Sequence, residues 1–409
     1  MKIAIKDNSE VIKLSGVNYE QEQRVQVSSN EFNRVLGGGI VRGSVVLVGG
    51  DPGIGKSTLM LQESVALAGE TFPVLYVSGE ESVNQTKLRA ERLNLNSDHL
   101  YLLAATDLNH ILSQIDKITP SLVIIDSIQT IYQPVFESSP GTIGQVRECA
   151  FALLKTAKAK NIPVFLIGHV TKSGNLAGPK VLEHMVDALL HFEGDRDHIY
   201  RILRADKNRF GSTREIGVFE MQESGLVEVA NPSALFLQHR KDNISGSSVV
   251  CTLQGTRPLL AEIQALVTPS SYGVPQRNST GIDNKRLALL LAVLEKRVGY
   301  GLTTQDVFVN VAGGARIDEP SADLGILVAI ASNFNDRVVA GQTVIIGEIG
   351  LGGEIRSVPQ IDKRLEEAKK LGFTKAVIPK FCLKNVDQNG SLEIAAVEKV
   401  TDALEEALS

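Results

Sequence analysis

The segment GDPGIGKS, at positions 50–57, limits the possible folds of this chain more than any other. It matches the pattern G-x-x-x-x-G-K-[S/T], follows the apolar run SVVLVGG and precedes a helix-forming segment from Ser57 to about Leu67. Glycines let backbone N–H groups turn inward around a phosphate, and the helix that follows adds partial positive charge. This order predicts a phosphate-binding loop in a parallel α/β sheet, and the alternative is a glycine-rich turn that binds nothing.

The nucleotide contacts are expected within this loop and just after it. Lys56 would reach the β- and γ-phosphates of ATP, and the hydroxyl of Ser57 would ligate Mg²⁺. The residues that the pattern places around the phosphates are Gly50, Asp51, Pro52, Gly53, Ile54, Gly55, Lys56, Ser57 and Thr58. ATP and Mg²⁺ are therefore the cofactors that the sequence predicts.

Three further apolar runs, at 73–82, 121–127 and 162–170, alternate with helix-forming segments. Uniformly apolar strands that alternate with helices predict a parallel sheet covered on both faces. Two later runs, DALLHFEGD and HIYRILRAD, are separated by a charged turn. We expect these two to be antiparallel strands added at the edge of the sheet.

Polar residues stand where the three apolar runs end. Asp126 is placed to hold the Mg²⁺ shell, although aspartates at strand ends are also common turn formers. Alternation puts Glu80 and Glu81 on opposite sides, which favours Glu80 as the acid that orients the attacking water. Both acids would otherwise stabilise the start of the next helix. His169 would contact the γ-phosphate as a sensor, and a histidine satisfied by backbone groups is an equal alternative.

Composition limits the partners and the compartment. The formal net charge is −5, so binding to nucleic acid would need local positive charge. Aromatic residues make up 5% of the chain, which leaves few for stacking on bases. The three cysteines form no CxxC pair, which predicts a reducing, cytoplasmic location. No apolar run reaches the roughly 20 residues of a membrane span, so no membrane partner is expected.

A shift in composition suggests two modules. The segment 231–248 is polar and rich in serine, asparagine and turn formers, so we place a linker there. The predicted organisation is a leader at 1–25, a first α/β domain at 26–230, the linker, and a second α/β domain at 249–409. The second domain is expected to hold a strand pair, a helix at 283–298 and a helix after Pro320.

Separated motifs in this chain resemble, in the same order, those of the bacterial RadA (Sms) DNA-repair family. They are RVLGGGIVRGSVVLVGGDPGIGKSTLMLQ at 34–62, GHVTKSGNLAGPKVLEHMVD at 168–187 and KNRFG at 207–211. The resemblance covers about Ser28 to the C-terminus. It implies a RecA-like P-loop ATPase domain with a parallel central sheet, followed by an α/β domain similar to that of Lon proteases.

The resemblance also implies a homohexameric ring with ATP bound between subunits. Lys207 and Arg209 would reach into the neighbouring subunit's site, where a guanidinium stabilises charge on the γ-phosphate. Without the resemblance, KNRFG would be a solvated basic turn. Two loops, at about 132–145 and 171–180, would line the channel, with Lys172 and Lys180 holding the backbone of single-stranded DNA. Surface loops without a ligand are the alternative.

The segment EPSADLG resembles the region around the Lon nucleophile and places Ser321 at that position. In the segment similar to that of the Lon base, Asp362 stands at the lysine position and Lys363 follows one residue late. One residue on a helix rotates a side chain by about 100°, so the resemblance implies no peptidase activity. Five basic residues are either a DNA-binding face or solvated helix charges: Lys285, Arg286, Lys296, Arg297 and Arg316.

RadA proteins usually begin with a four-cysteine zinc finger, and here no cysteine precedes Cys149. No zinc is therefore expected, either because the chain starts after the finger or because this member lacks it. The predicted function is an ATP-dependent motor, stimulated by single-stranded DNA, that promotes branch migration in homologous recombination and DNA repair. Its expected partners are single-stranded and branched DNA, with the RecA recombinase as a candidate. The alternatives are an ATP-driven switch or scaffold of the KaiC-like type and an ATP-dependent Lon-like protease.

Overall fold

A computed structural model describes residues 24–136, 138–169, 182–194, 200–213, 215–238, 240, 244–270, 273–314, 316–386 and 392–408. The chain divides into two compact units, the first ending at Glu228 and the second beginning at Val229. Nearly all of the predicted leader and the whole of the second predicted channel loop lie outside the described residues.

The described residues of the first unit form a nine-stranded sheet with helices on both faces. Its helices are α1 (Asn30–Leu36), α2 (Lys56–Leu67), α3 (Val83–Arg92), α4 (Leu108–Ile118) and α5 (Ile143–Lys160). Its strands are β1 (Val45–Gly50), β2 (Val74–Ser78), β3 (Leu100–Ala104), β4 (Leu122–Asp126), β5 (Val164–Ile167), β6 (Ala188–Glu193), β7 (Tyr200–Asn208), β8 (Ile216–Gln222) and β9 (Gly225–Glu228). The strand order is β3-β2-β4-β5-β1-β6-β7-β8-β9.

Both faces of the parallel strands are buried, which is why their sequences read as continuous apolar runs. Alternate residues of β1 enter different cores, because successive side chains point to opposite faces of a sheet. Val46 packs in the cluster that contains residues of α1, α2 and α3. Leu47 packs in the cluster that contains residues of α4 and α5. The predicted parallel sheet covered by helices is therefore confirmed.

One strand is not paired as the sequence suggested. We expected DALLHFEGD to be antiparallel, but β6 pairs in parallel with β1, and the antiparallel region begins at β7. The physical reason is its place between β1 and β7, where Leu189 and Leu190 alternate into the cores on the two faces. The direction of a strand depends on the connection that precedes it, so it cannot be predicted from the residues of the strand alone.

The described part of the second unit contains a seven-stranded mixed sheet, in the order β12-β13-β11-β10-β14-β17-β18, and a two-stranded ribbon, β15-β16. Its strands are β10 (Ser247–Gln254), β11 (Arg257–Pro269), β12 (Arg277–Thr280), β13 (Gln305–Val311), β14 (Thr343–Ile345), β15 (Glu348–Ile349), β16 (Ile355–Arg356), β17 (Lys375–Pro379) and β18 (Glu393–Val397). Its helices are α6 (Pro232–Leu237), α7 (Asn284–Val293), α8 (Asp323–Phe334), α9 (Ile361–Lys370) and α10 (Val400–Ala407).

Several expected elements are present in this unit. The predicted strand pair is the antiparallel hairpin of β10 and β11, and the helix expected after Pro320 is α8. The helix expected at 283–298 is α7 with a final π-helical turn, Leu294–Val298. The segment 231–248 carries α6 and the first residues of β10, and Ser233 of α6 donates a hydrogen bond to Glu367 of α9 at 2.8 Å.

Within the described ranges, no helix combines the length and the apolar character that crossing a membrane requires.

Candidate nucleotide site

The candidate site lies where four neighbouring parallel strands of the first unit end. These strands, β2, β4, β5 and β1, are consecutive in the sheet. The phosphate loop follows β1, Glu80 follows β2, Asp126 ends β4 and His169 follows β5. Ligands of α/β sheets bind beyond the carboxyl ends of such strands. The structure therefore brings together at one edge residues that are up to 119 positions apart in sequence, from Gly50 to His169.

The phosphate loop has the backbone that its glycines allow. Gly53 and Gly55 have φ angles of 78° and 118°, in the left-handed region that disfavours other residues. A Cβ atom at Gly55 would lie 2.9 Å from the end of the Met221 side chain and 3.0 Å from that of Leu226, so both would have to shift. No described side chain caps the start of α2. The first N–H groups of that helix are therefore available to a phosphate.

Lys56 is buried beside the loop that precedes it. Its Nζ donates hydrogen bonds to the carbonyl oxygens of Gly50 and Asp51, each at 2.8 Å. The same nitrogen lies 3.3 Å from Nδ1 of His169. These bonds hold the ammonium group at the phosphate loop, where a bound triphosphate would replace some of them.

Burial lowers the pKa of Lys56 to about 8, and the carboxylates of Asp126, Glu80 and Asp51 oppose this shift. A bound triphosphate favours the charged ammonium, so binding above pH 8 must take up a proton. We therefore expect ATP affinity to fall by up to about tenfold per pH unit above pH 8 and to change little between pH 6.5 and 7.5.

Calorimetric titration with ATP at pH 8.8, in buffers of different ionisation enthalpy, would measure this proton uptake. Lys56→Arg is the matched control, because a guanidinium stays charged and should take up no proton. An affinity that does not change between pH 8 and 9.5 in the wild-type protein would contradict the assigned protonation state of Lys56.

Glu80 and Glu81 lie in different environments. Oε1 of Glu80 accepts a hydrogen bond from the hydroxyl of Ser127 and lies 3.1 Å from Nε2 of His169. The carboxylate of Glu81 instead pairs with Arg89 of α3. Only Glu80 therefore belongs to the group of side chains around the phosphate loop, as the alternation in the sequence suggested.

His169 bridges two members of this group through its ring. Nδ1 faces the ammonium of Lys56 and Nε2 faces the carboxylate of Glu80, while its carbonyl oxygen accepts a hydrogen bond from Gln129 at 3.2 Å. With Nδ1 as acceptor and Nε2 as donor, the ring joins the cation and the carboxylate. The contacts of its ring are therefore to charged side chains, and its role as a sensor stays a prediction.

Asp126 and Ser57 are suitable ligands for a Mg²⁺ ion that arrives with a nucleotide. Asp126 is buried, and its charge acts on Lys56, which places the carboxylate near the phosphate loop. Among the described residues, no group of three or more His, Cys, Asp and Glu side chains is arranged to hold a metal by itself. Mg²⁺ in nucleotide sites uses one or two carboxylates together with phosphate oxygens and water. One hydroxyl and one carboxylate fit that requirement.

Comparisons with known proteins agree with this architecture. Residues 15–175 match the family model of an AAA domain, and residues 295–409 match that of the Lon protease (S16) C-terminal proteolytic domain. The chain is 57% identical to the DNA repair protein RadA of Halalkalibacterium halodurans over 97% of this chain and 86% of that protein. The RadA of Bacillus subtilis is 53% identical over the same shares. This chain belongs to the RadA family.

A third RadA protein, from Listeria monocytogenes, is 52% identical over 98% of this chain and 88% of its own length. The solved structure of a KaiC-like protein from Pyrococcus horikoshii aligns with 51% of this chain and 99% of its own, at 20% identity and a TM-score of 0.43, a similarity too low to bear on function. The matched domains confirm the predicted fold class of a RecA-like P-loop unit followed by a Lon-like α/β unit.

The KNRFG segment of this RadA family member lies at the end of β7, and its basic side chains contact residues of the same chain. Nζ of Lys207 donates to the carbonyl oxygens of Glu183 and Val186, at 2.7 and 2.9 Å. Arg209 lies 3.3 Å from the buried carboxylate of Asp187, with 59% of its side chain exposed. None of the described contacts joins Lys207 or Arg209 to the phosphate loop of the same subunit. Their predicted role at a neighbouring site remains a prediction.

A pair of glycines that sequence reasoning missed fixes this turn. A Cβ atom on Gly211 would lie 2.7 Å from the Cα atom of Gly37, so the two backbones touch. Asn208 donates to the carbonyl oxygen of Val35 at 3.1 Å, and its Oδ1 accepts from the N–H of Phe210 at 2.8 Å. In the sequence, this close approach of two backbones was indicated only by the glycine run that follows Leu36. That run belongs to the motif that resembles the family pattern.

The residues predicted to bind DNA are only partly described. Lys172 and Lys180 lie outside the described residues. Arg316 is 71% exposed and lies 2.9 Å from Asp318, while Arg286 pairs with the buried carboxylate of Asp323. At least these two cations of the expected basic face therefore already have acidic neighbours.

The first predicted channel loop is shaped by one glutamine. The side chain of Gln145 is buried, and its amide bonds to the backbone of Gln133, Phe136 and Ser138 at 2.8–3.3 Å. The residues exposed by this loop include Val135, which is 80% accessible, and Phe136, which is 44% accessible. The segment 132–145 contains no lysine or arginine. Contacts to the phosphates of single-stranded DNA, which the sequence suggested, would therefore have to come from residues outside this segment.

In the second unit, Ser321 contacts an arginine that the sequence did not indicate, together with the carboxylate of Glu319. Oγ of the buried Ser321 accepts a hydrogen bond from Arg364 at 3.0 Å. The fully buried guanidinium also pairs with Glu319 and donates to the carbonyl oxygen of Cys251 at 2.6 Å. Arg364 lies on the inner face of α9, whereas residues 362 and 363 are exposed. The helical phase of α9, and not the count along the motif, decides which side chain reaches the serine.

Proposed function

We propose that this RadA family member hydrolyses ATP at the phosphate-loop site and uses that energy on DNA during repair and homologous recombination. The observation that carries the proposal is the convergence of Lys56, Glu80, Asp126 and His169 at one edge of the sheet. Lys56 supplies a cation, and the ring of His169 bridges it to Glu80. The carboxylate of Glu80 would orient water, and that of Asp126 would bind a metal. Movement on single-stranded DNA with branch migration is the specific activity proposed.

The side chains of this site have separate roles in the proposed reaction. Lys56 binds and orients the β- and γ-phosphates, and the N–H groups at the start of α2 bind the same oxygens. Oε1 of Glu80, held by Ser127 and His169, orients the attacking water and accepts its proton. Ser57 and Asp126 would hold Mg²⁺, which would supply neutralisation of the phosphate charge. Most of the rate enhancement then comes from positioning and charge stabilisation.

The assembly that we propose is a homohexameric ring. Arg209, exposed on the surface, and Lys207 would complete the site of the neighbouring subunit. The DNA partners are single-stranded and branched DNA, with Lys172, Lys180 and Arg316 as the proposed contacts and the RecA recombinase as a candidate protein partner. A cytoplasmic location follows from these partners.

The proposal is tested by displacement of a DNA strand from a branched substrate. The wild-type protein should displace the strand only with ATP, and Lys56→Ala and Arg209→Ala should abolish displacement. Unchanged displacement by both variants would refute the assignment of these residues.

Glu80→Gln should lower ATP turnover by about 10²–10⁴-fold while ATP binding is retained, because the amide cannot accept the proton from water. Glu81→Gln is the matched control, since its carboxylate pairs with Arg89 and lies outside the site. We expect its turnover to stay within about threefold of the wild-type rate, the scale of a surface ion pair. Steady-state phosphate release with parallel nucleotide-binding titrations would measure both effects. A large loss in Glu81→Gln with normal turnover in Glu80→Gln would reverse the assignment.

We also propose that the second unit has no peptidase activity. A serine nucleophile needs a neighbouring base, and Oγ of Ser321 instead accepts a hydrogen bond from Arg364, which cannot act as one. The hydroxyl also bonds to the carboxylate of Glu319, but that carboxylate is held by the same arginine in a partly buried ion pair. We expect no degradation of casein with or without ATP, and no change in Ser321→Ala. Casein cleavage that disappears in Ser321→Ala would restore the protease alternative.

A further inference from the structure

A buried tyrosine contacts the carboxylate that ends β4. The hydroxyl of Tyr76 donates a hydrogen bond to Oδ2 of Asp126 at 2.6 Å. Only 1% of the Tyr76 surface and 7% of the Asp126 surface are accessible to solvent. Oδ1 of Asp126 makes no hydrogen bond to any residue that the structure describes. Of the two oxygens of the Asp126 carboxylate, Oδ2 therefore accepts a hydrogen bond from Tyr76, whereas Oδ1 has no described hydrogen-bond donor.

Strand register brings this tyrosine to the aspartate. In the pairing of β2 with β4, Tyr76 lies opposite Ile124 and Ser78 lies opposite Asp126. Tyr76 and Asp126 are thus diagonal neighbours, a separation that an aromatic side chain can span. Tyr76 packs in the same core cluster as Leu59 and Met60 of α2, the helix that begins at the phosphate loop. The hydroxyl therefore approaches Asp126 from the face of the sheet that packs against α2.

The ring and the hydroxyl of Tyr76 are both fixed. The ring packs in the core beside Leu59 and Met60, and the hydroxyl donates its proton to Oδ2 of Asp126. A buried tyrosine needs a hydrogen-bond partner in any case. The alternative is that Tyr76 only fills the core and does not orient Asp126. An experiment must distinguish these two roles of Tyr76.

We infer that Tyr76 is a positioning residue, which holds Oδ2 of Asp126 so that Oδ1 faces the Mg²⁺ that accompanies a nucleotide. This inference rests on the proposed ATPase function. A hydrogen bond to a carboxylate fixes its rotation, and residues that orient metal ligands in this way typically change metal affinity by 10–100-fold. Tyr76 is buried and contacts the carboxylate of Asp126, so its effect on metal binding would pass through Asp126.

Tyr76→Phe keeps the ring and removes only the donor. We expect the Mg²⁺ concentration for half-maximal binding of a fluorescent ATP analogue to rise about tenfold, while binding of the analogue without Mg²⁺ stays unchanged. The readout is binding, not turnover. Tyr101→Phe is the control for the same chemical change at an exposed position of the adjacent strand β3. Ile111→Val, in the core on the opposite face of the sheet, is the control for a small loss of packing.

A double-mutant cycle with Asp126→Asn separates positioning from packing. If Tyr76 acts through Asp126, Tyr76→Phe should have no further effect on the Mg²⁺ dependence in the Asp126→Asn background. The inference is overturned if Tyr76→Phe has the wild-type Mg²⁺ dependence, or if its effect persists undiminished in that background. If the wild-type protein itself shows no Mg²⁺-dependent nucleotide binding, the proposed ATPase function fails instead.

If Tyr76→Phe does not fold, the wild-type protein with 3-fluorotyrosine incorporated provides the second measurement. The ¹⁹F resonance of position 76, assigned by comparison with variants at the other tyrosines, should shift when Mg²⁺ is added to the ATP-bound protein. A resonance that does not respond to Mg²⁺ would overturn the inference.

Discussion

Lys56→Ala should lower ATP turnover by at least about 10³-fold. Removal of one group that stabilises charge in the transition state costs about 10²–10³ in rate, and loss of the ammonium also weakens binding of the phosphates. The reason lies in the structure, where Lys56 is the cation bonded to Gly50 and Asp51 of the phosphate loop. Phosphate release and ATP-binding titrations of the purified variant would measure both losses.

The matched control is Lys87→Ala on α3, where the ammonium is half exposed and lies 3.8 Å from Glu91. That variant should keep the wild-type turnover. Thermal unfolding of Lys56→Ala should show no loss of stability, because the variant removes a cation that burial disfavours. A folded Lys56→Ala protein with wild-type turnover would mean that this loop is not the catalytic site.

Arg209→Ala should lower ATP turnover by about 10³-fold or more while ATP binding by the subunit is retained. An arginine supplied by a neighbouring subunit stabilises charge on the γ-phosphate and contributes about 10³–10⁵ to the rate. In the single subunit the guanidinium is exposed beside Asp187 and makes no described contact with the phosphate loop. An effect of Arg209 on turnover would therefore require a second subunit.

Mixing two inactive variants tests whether Arg209 acts between subunits. In rings assembled from equal amounts of Lys56→Ala and Arg209→Ala, roughly a quarter of the interfaces combine an intact Lys56 with an intact Arg209 from its neighbour. Turnover of the mixture should therefore recover to roughly a quarter of the wild-type rate, provided that sites act independently. No recovery in rings shown to be mixed would contradict a role of Arg209 between subunits.

The parts of the site that were predictable from sequence depend on local geometry. The phosphate loop is one contiguous segment in which the glycines, the lysine and the serine have fixed spacing. The strand before it and the helix after it are also visible in the sequence, so the loop could be predicted. The separation of Glu80 from Glu81 follows from the two-residue repeat of a strand, and the contacts agree with it. Asp126 and His169 could be placed because parallel strands end at the same edge of a sheet.

The parts that were missed depend on relations between distant elements. Arg364 reaches Ser321 because the buried face of α9 points toward the serine. Counting residues along the motif does not show which side chains lie on that face. The contact of Tyr76 with Asp126 requires β2 and β4 to be neighbours in the sheet, and strand order is not visible in one sequence. The parallel direction of β6 was missed for the same reason.

ATP turnover and strand displacement can be measured on the same preparation, with and without single-stranded DNA. We expect single-stranded DNA to raise ATP turnover of the wild-type protein. Displacement from a branched substrate should require ATP hydrolysis, and Lys56→Ala should lack both activities. ATP turnover that is indifferent to single-stranded DNA, with no strand displacement, would contradict a DNA motor and favour a nucleotide-driven switch.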